Sequence, residues 1–163
     1  MDIDNFKNSA LKAYDENRRL IKSIKKKKYK NLDKTFRDLH EEVFEEIDCL
    51  TCANCCKTTS PIFYQMDIER VAKSLRSKPS AFIDEYLRID EDGDDVLKQS
   101  PCPFLGNDNK CIVYDSRPTA CREYPHTNRK RMYQILNLTL KNSMVCPAVL
   151  EIFERLKKTS FLI

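Results

Sequence analysis

The chain has 163 residues, of which 33% are charged and only two are glycine, and its net charge is +4. This length suits one domain with an additional helical arm, and the scarcity of glycine favours helix. No run of 18 apolar residues occurs, which excludes a membrane-spanning helix, and residues 1–4 lack the features of a signal peptide. We therefore expect a cytoplasmic protein whose cysteines bind metal and do not form disulfides.

Residues 1–47 are predicted to form two helices, over residues 3–28 and 31–47, because apolar residues recur there at helical spacing. The predicted inward-facing residues are Ile3, Phe6, Ala10, Tyr14, Ile21 and Ile24, followed by Leu32, Phe36, Leu39, Val43 and Ile47. We expect these helices to form an N-terminal arm. A metal-binding domain over residues 48–158 and a tail at residues 159–163 would follow.

Charge is unevenly distributed along this arm. Residues 18–30 carry eight positive charges, whereas residues 41–48 carry five negative ones. A basic run of this kind can bind nucleic acid or an acidic protein. No stacking aromatic residues accompany it, so nucleic acid is not expected. We predict a solvated helix face, which could meet the acidic segment or a protein partner.

Two further helices are predicted, a short one that has Asp67 as its N-cap and runs to about Leu75, and one over residues 79–88 with Pro79 in its first turn. The acidic segment at residues 90–95 is predicted to be a turn. It lacks the glutamate that a calcium-binding loop carries at its twelfth position, so we exclude calcium.

Residues 96–114 form the one predicted β region. A strand is expected at residues 96–98, and a hairpin is expected in which residues 101–105 and 111–114 flank a turn at 106–109. A helical turn carrying Cys121 follows, and then helices over residues 128–142 and 147–158, with Cys146 as the last N-cap. The predicted fold is therefore mainly α with a small β-hairpin, organised around a metal site.

Eight cysteines dominate the chemistry of the sequence. Four of them, Cys49, Cys52, Cys55 and Cys56, fall within eight residues. Thiolates three residues apart on a tight loop can converge on one soft metal ion. The adjacent side chains of Cys55 and Cys56 are expected to diverge, so that one ligates the centre of Cys49 and Cys52. The other then serves a second ion or stays a free thiol.

This pattern resembles the CxxCxxCC family of cysteine-cluster proteins, which is named as a zinc- or iron-chelating domain. Four motifs carry the resemblance: CLTCANCC at residues 49–56, CPFL at 102–105, CIVYDSRPTACREYP at 111–125, and CP at 146–147. The resemblance covers about residues 46–155. It implies that all eight cysteines are metal ligands, including Cys102, Cys111, Cys121 and Cys146. One branch of the family, the flagellin lysine methylases, carries a related cluster inside a larger enzyme.

The spacing fits either of two kinds of centre. A C-x2-C-x2-C run with a remote Cys-Pro suits a [4Fe–4S] cluster, in which Cys49, Cys52 and Cys55 would join Cys146 or Cys121. Eight cysteines also suffice for two all-cysteine zinc sites. We expect an iron–sulfur cluster in preference to zinc.

Other residues near the cysteines could support the centre. His126 follows Cys121 by five residues and is a candidate ligand, whereas His40 is expected at the surface. The guanidinium groups of Arg117, Arg122 and Arg129 could offset the negative charge of a thiolate site.

The sequence leaves an enzymatic activity undecided. Gly93 and Gly106 are too few for a glycine-rich phosphate loop or a methyltransferase cofactor turn. We expect a metal-binding protein that acts in redox chemistry, metal handling or protein interaction. One alternative is an enzyme that uses the cluster for group transfer to a protein, as a methylase would. The other is a structural zinc module that docks on a larger assembly through the basic helices.

Overall fold

The computed structural model describes residues 3–27 and 29–159, without the side chains of Ile3 and Asp4. The inward position predicted for Ile3 and the predicted tail beyond Thr159 therefore lie outside the described residues. The elements in chain order are α1 (Ile3–Lys27), α2 (Leu32–Glu46), α3 (Cys49–Cys52), α4 (Asn54–Thr58), α5 (Gln65–Ser74), α6 (Pro79–Tyr86), β1 (Leu87–Ile89), β2 (Asp95–Leu97), α7 (Thr119–Glu123), α8 (Met132–Asn142) and α9 (Pro147–Lys158). The predicted fold class, mainly helical with a small antiparallel hairpin, is confirmed.

The chain divides into two compact units. Unit 1 comprises residues 1–49 and 125–163, and unit 2 comprises residues 50–124. The domain boundaries expected from the sequence, at residues 47 and 158, stay predictions. No helix in the described ranges is long and apolar enough to cross a membrane.

Unit 1 is built from four helices, in which α1 and α2 pack against both α8 and α9. Each helix has an apolar stripe, and burying it stabilises the helix more than intrinsic propensity does. The predicted faces are confirmed for Phe6, Ala10, Ile21, Ile24, Leu32, Phe36, Leu39 and Val43, which are buried, while Tyr14 and Ile47 are half-buried.

Polar contacts fix the helices of unit 1. The Asp33 carboxylate of α2 accepts the backbone N–H groups of Arg131 (2.7 Å) and Met132 (2.8 Å). Arg131 has a left-handed backbone with φ of 61°, so α8 begins at Met132 and not at the predicted residue 128. The acidic end of α2 contacts α9, because the Arg155 guanidinium donates to Glu46 at 2.6 Å. In the basic run, Lys25 instead donates to Asn137 of α8 at 2.9 Å.

Unit 2 has its own hydrophobic core. The buried members are Phe63, Ile68, Val71, Ala72, Phe82, Leu87, Leu97, Phe104 and Val113. The rings of Phe82 and Phe104 stack with their centroids 6.0 Å apart. Cys102 and Cys111 pack against this core at its edge. The core therefore holds two of the cysteines in place from one side.

The hairpin lies earlier in the chain than predicted. The paired strands are β1 and β2, with Leu87 opposite Leu97, around the acidic turn. The predicted strand at 96–98 is confirmed in β2, whereas α6 ends at Tyr86 and not at residue 88. Residues 101–114 form only an isolated bridge between Leu105 and Cys111. Prolines at positions 101 and 103 lack the N–H groups that a longer ladder would need.

Candidate metal centre

The CLTCANCC stretch folds into two short helices that meet at Ala53. Ala53 has a left-handed backbone with φ of 48°, which separates α3 from α4. Cys55 and Cys56 both lie on α4, and their Sγ atoms are 4.0 Å apart. The predicted divergence of these two side chains is therefore wrong. Their separation is a contact and not a disulfide bond, which requires about 2.05 Å.

The segment between Cys102 and Cys111 presents both sulfurs to backbone donors. Backbone N–H groups, those of Phe104 and Leu105 for the Cys102 thiol and that of Val113 for the Cys111 thiol, favour the ionised form and so lower the pKa, but burial raises it more strongly. Phe104 and Val113 are themselves buried in the core of unit 2. Hydrogen bonds of this kind favour the thiolate form that binds metal. Packing therefore fixes the position of these two cysteines at the edge of the core.

A tight turn at residues 106–109 closes this segment. Gly106 donates its N–H to the Lys110 carbonyl at 2.8 Å. A Cβ at Gly106 would lie 2.8 Å from Asp108 Oδ1 and 3.2 Å from that carbonyl, so a larger residue would displace the turn. The Asn109 amide reaches the carbonyl of Thr51 in α3 at 3.4 Å. The turn therefore contacts the beginning of the cysteine stretch.

Four thiols come together in unit 2, and we call Cys56, Cys102, Cys111 and Cys121 the four-thiol cluster. The N–H group of Cys102 donates to the carbonyl of Cys56 at 2.8 Å, which joins two segments far apart in sequence. Burial and the charges of Cys56, Cys102 and Cys111 raise the pKa of Cys121 to about 12. These electrostatic effects indicate that the four thiols lie in the same part of unit 2.

The thiols of the cluster differ in acidity. A hydrogen bond from Cys55, aided by the charges of Arg117 and Lys57, lowers the pKa of Cys56 to about 7. Burial, together with the neighbouring thiolates, raises the pKa of Cys102 to about 11 and also raises that of Cys111. One thiol is thus readily ionised, and its charge opposes ionisation of the others.

Arg117 is the cation of this site. Its guanidinium carbon lies 3.6 Å from the centre of the Tyr114 ring. Its charge favours the thiolates of Cys56, Cys111 and Cys121, and its buried Nε makes no hydrogen bond within the described part of the chain. The predicted role of Arg117 in offsetting thiolate charge therefore agrees with its position. Arg122 and Arg129 are exposed, and nothing comparable supports this role for them.

The remaining cysteines are distributed over both units. Cys49 and Cys52 begin and end α3. Cys146 is buried in unit 1 as the N-cap of α9, as predicted. None of the eight cysteines, all within the described ranges, forms a disulfide. Their assignment as ligands stays a prediction.

Both histidines belong to unit 1. His40 is half-buried and not at the surface, because its ring packs on Phe44 and its Nδ1 lies 2.8 Å from Thr127 Oγ1. His126 is half-buried with φ of 66°, and its role as a ligand stays a prediction. Unit 2 contains no histidine, so a metal bound by its side chains would take sulfur or oxygen ligands.

The donor set fits a soft metal, although the side chains need to adjust. Among the residues that the structure describes, no three cysteine, histidine, aspartate or glutamate side chains stand in a geometry that could hold an ion. A metal cation would replace the thiol protons and remove the repulsion between thiolates. For the four sulfurs to ligate one centre, their side chains would have to change between staggered χ1 rotamers. The four-thiol cluster would supply all-sulfur ligation there.

Comparison with known proteins agrees with this chemistry. No curated protein and no solved structure matches the chain. Residues 48–146 match the family model CxxCxxCC, described as "Putative zinc- or iron-chelating domain". This match covers more than half of the sequence and includes all but the N-terminal helices and the last helix. The chain belongs to the CxxCxxCC family.

Proposed function

We propose that this protein chelates a metal through the four-thiol cluster of unit 2. The observation that carries the proposal is the grouping of these thiols in unit 2, where burial and, to a smaller extent, their mutual repulsion raise the pKa of Cys102, Cys111 and Cys121 above the ordinary value. Burying thiols whose charges oppose one another is costly unless a cation compensates them. Arg117 supplies part of that compensation, and a bound metal supplies the rest.

The other four cysteines are assigned to a second centre. Cys49, Cys52 and Cys55 have the spacing of an iron–sulfur ligand run, and Cys146 provides the remote Cys-Pro. This assignment is based on the sequence motif. Eight cysteines then make two sets of four, and each set satisfies one four-coordinate centre.

We expect iron–sulfur chemistry in preference to zinc. Unit 2 offers thiols and no histidine, and iron–sulfur clusters of the common types take four thiolates. Zinc accepts the same ligands, so it can replace iron during aerobic purification. Anaerobically purified protein should be brown and should contain acid-labile sulfide, with visible absorption that bleaches on reduction. A colourless anaerobic preparation with stoichiometric zinc would contradict the iron–sulfur assignment but not chelation.

Two serine variants test the assignment of ligands to centres. With two centres, Cys121→Ser should lose the metal of the four-thiol cluster and keep that of the other set. Cys52→Ser should do the reverse, so each variant should retain about half of the wild-type metal. Far-UV circular dichroism controls for folding. Unchanged metal content in both variants would refute chelation by these residues.

The state of the centre distinguishes among the possible roles. A reversible redox couple would favour electron transfer, and an open coordination position would favour group transfer to a protein. Closed, redox-inactive four-sulfur sites would favour a structural module. Anaerobic redox titration separates the first role from the third, and binding of an exogenous ligand to the metal identifies an open position.

We also propose that the basic surface of unit 1 meets a protein partner. Lys27 and Lys30 of the basic run are exposed, and so are residues 129–131 before α8. The Tyr133 hydroxyl donates to the Lys25 carbonyl at 3.3 Å, which places the two basic segments side by side. An acidic protein surface would complement this charge.

Nucleic acid is the competing partner of this surface, and we do not expect it to bind. The test measures binding of a short single-stranded RNA at low and high salt. Micromolar affinity that weakens with salt, and that is lost when the lysines at positions 25–28 are neutralised, would contradict the proposal.

A further inference from the structure

Asp67 is a buried carboxylate on α5, a helix that carries no cysteine. Its side chain is 1% exposed. It accepts hydrogen bonds from the N–H of Tyr64 (3.2 Å), from Arg70 Nη2 (2.5 Å), and from both the N–H (3.1 Å) and the hydroxyl (2.9 Å) of Thr119. A buried charge is retained only where such partners compensate its lost hydration. The sequence predicted Asp67 as the N-cap of α5, but the N-cap is Tyr64 and Asp67 also binds a distant segment.

Arg70 extends the same contact by one helical turn. Its Nη2 donates to the Arg117 carbonyl at 2.8 Å, and its Nε donates to the Ser116 carbonyl at 3.3 Å. Together with Asp67, it therefore holds both ends of residues 116–119. We call Asp67 and Arg70, with these contacts, the α5 clamp.

The segment held by the α5 clamp contains the cation of the four-thiol cluster and leads to one of its sulfurs. Arg117 lies within it, and Thr119 begins α7, which carries Cys121. The N–H of Cys121 donates to the Pro118 carbonyl at 2.9 Å, so Cys121 follows the position of this segment.

The other side of the cluster is fixed independently. Cys102 and Cys111 pack against the core of unit 2, to which α5 contributes Ile68 and Val71. Helix α5 is thus anchored in the same core that supports these two cysteines. The α5 clamp is the polar connection that places Cys121 relative to them.

We infer that Asp67 and Arg70 are positioning residues for the metal centre, setting the separation of Cys121 and Arg117 from the other three thiols. This inference rests on the proposed chelation by the four-thiol cluster. The ligand concerned is a thiophilic cation, either iron or zinc, bound by four sulfurs. Residues that orient metal ligands through hydrogen bonds affect affinity strongly, and their loss typically costs about 10- to 100-fold.

The test uses the full chain with Asp67→Asn, which removes the charge and keeps the size of the side chain. Metal retention is measured by competition with a chelator, and the cobalt-substituted protein reports ligand geometry through its thiolate-to-metal absorption. We expect about 10- to 100-fold weaker retention and an altered cobalt spectrum, with unchanged far-UV circular dichroism. Arg70→Met should behave alike.

Glu69→Gln is the matched control, because Glu69 lies on the same helix, loses the same charge and is exposed. It should retain metal as the wild type does. Thr119→Val is a milder variant that removes only the hydroxyl donor to Asp67, and it should also weaken metal retention. It replaces Asp67→Asn in the test if that variant fails to fold.

The outcomes separate this inference from the proposed function. Wild-type protein that binds no metal would overturn both. Metal bound by the wild type and equally well by Asp67→Asn or Thr119→Val, with an identical cobalt spectrum, would overturn the positioning role alone. A purely structural role would lower thermal stability without changing the spectrum of the bound metal.

Discussion

Phe104 couples the packing of unit 2 to its cysteines, so Phe104→Ala should weaken both folding and metal binding. The side chain is 3% exposed, and its ring centroid lies 5.0 Å from that of Tyr86 and 6.0 Å from that of Phe82. Truncation of a buried phenylalanine to alanine costs about 3–5 kcal/mol. The backbone N–H of Phe104 is kept in the variant, so this loss measures packing.

The free energy of unfolding is to be measured by urea denaturation of the metal-free protein, followed by circular dichroism. We expect Phe104→Ala to lose about 3–5 kcal/mol of it. Zinc at one hundred times its dissociation constant should raise the free energy of unfolding by about 2.7 kcal/mol, because a ligand that binds only the folded state stabilises it. The variant should also bind zinc more weakly, since the Cys102 segment is less well fixed.

Phe153→Ala in α9 is the matched control. Phe153 is fully buried in unit 1, so its truncation should cost a similar free energy. Its effect on zinc affinity at the four-thiol cluster should be smaller than that of Phe104→Ala. A loss below about 1 kcal/mol in Phe104→Ala, or zinc affinity equal to that of the wild type, would refute the coupling between core and site.

Three further predictions concern single groups. At pH 7, limiting iodoacetamide should alkylate Cys56 of the metal-free protein before Cys102 or Cys121, because the pKa of Cys56 is lowered to about 7 whereas burial raises the pKa of the other two. Peptide mass spectrometry checks the order, and preferential labelling of Cys121 would contradict it. Burial and neighbouring thiolates raise the pKa of Cys102 and Cys121, so the stability that these two thiols contribute is present below pH 9 and is lost as the pH rises through about 11 and 12. Thermal unfolding of the metal-free protein should show this fall in stability. Stability that is constant or increasing over this pH range would refute the prediction. Asp33→Ala should lower the free energy of unfolding by about 1 kcal/mol, because Asp33 caps α8. Asp38→Ala removes only a surface ion pair with Lys34 and should lower it less. Equal losses in urea denaturation would argue against the cap.

The helices could be predicted well because their signals are local. An apolar stripe at helical spacing can be recognised from neighbouring residues alone, and the burial of Phe36 and Val43 confirms it. Pro79 and Pro147 mark helix starts in the structure, as the sequence indicated. The start of α8 could not be predicted, because it depends on Asp33, about a hundred residues earlier in the chain.

The hairpin shows where local signals compete. Residues 101–114 have a turn motif and apolar flanks, but their prolines leave too few donors for a ladder. Residues 87–89 and 95–97 have the donors, and Leu87 and Leu97 also bury their side chains in the core of unit 2. Burial therefore decided which strands pair, and a short stretch of sequence does not show which residues will be buried.

The sequence by itself determined that this is a mainly helical, cysteine-rich member of the CxxCxxCC family, because residue type and spacing define both the helical faces and the cysteine motifs. Only the tertiary structure joined the segments of Cys56 and Cys102 by a backbone hydrogen bond and packed Cys102 and Cys111 against the core of unit 2. It also decided the role of Asp67, whose partner Thr119 lies 52 residues away. The physical reason is that helix formation depends on residues three or four positions apart, whereas the contacts of a metal site depend on how distant segments share one core.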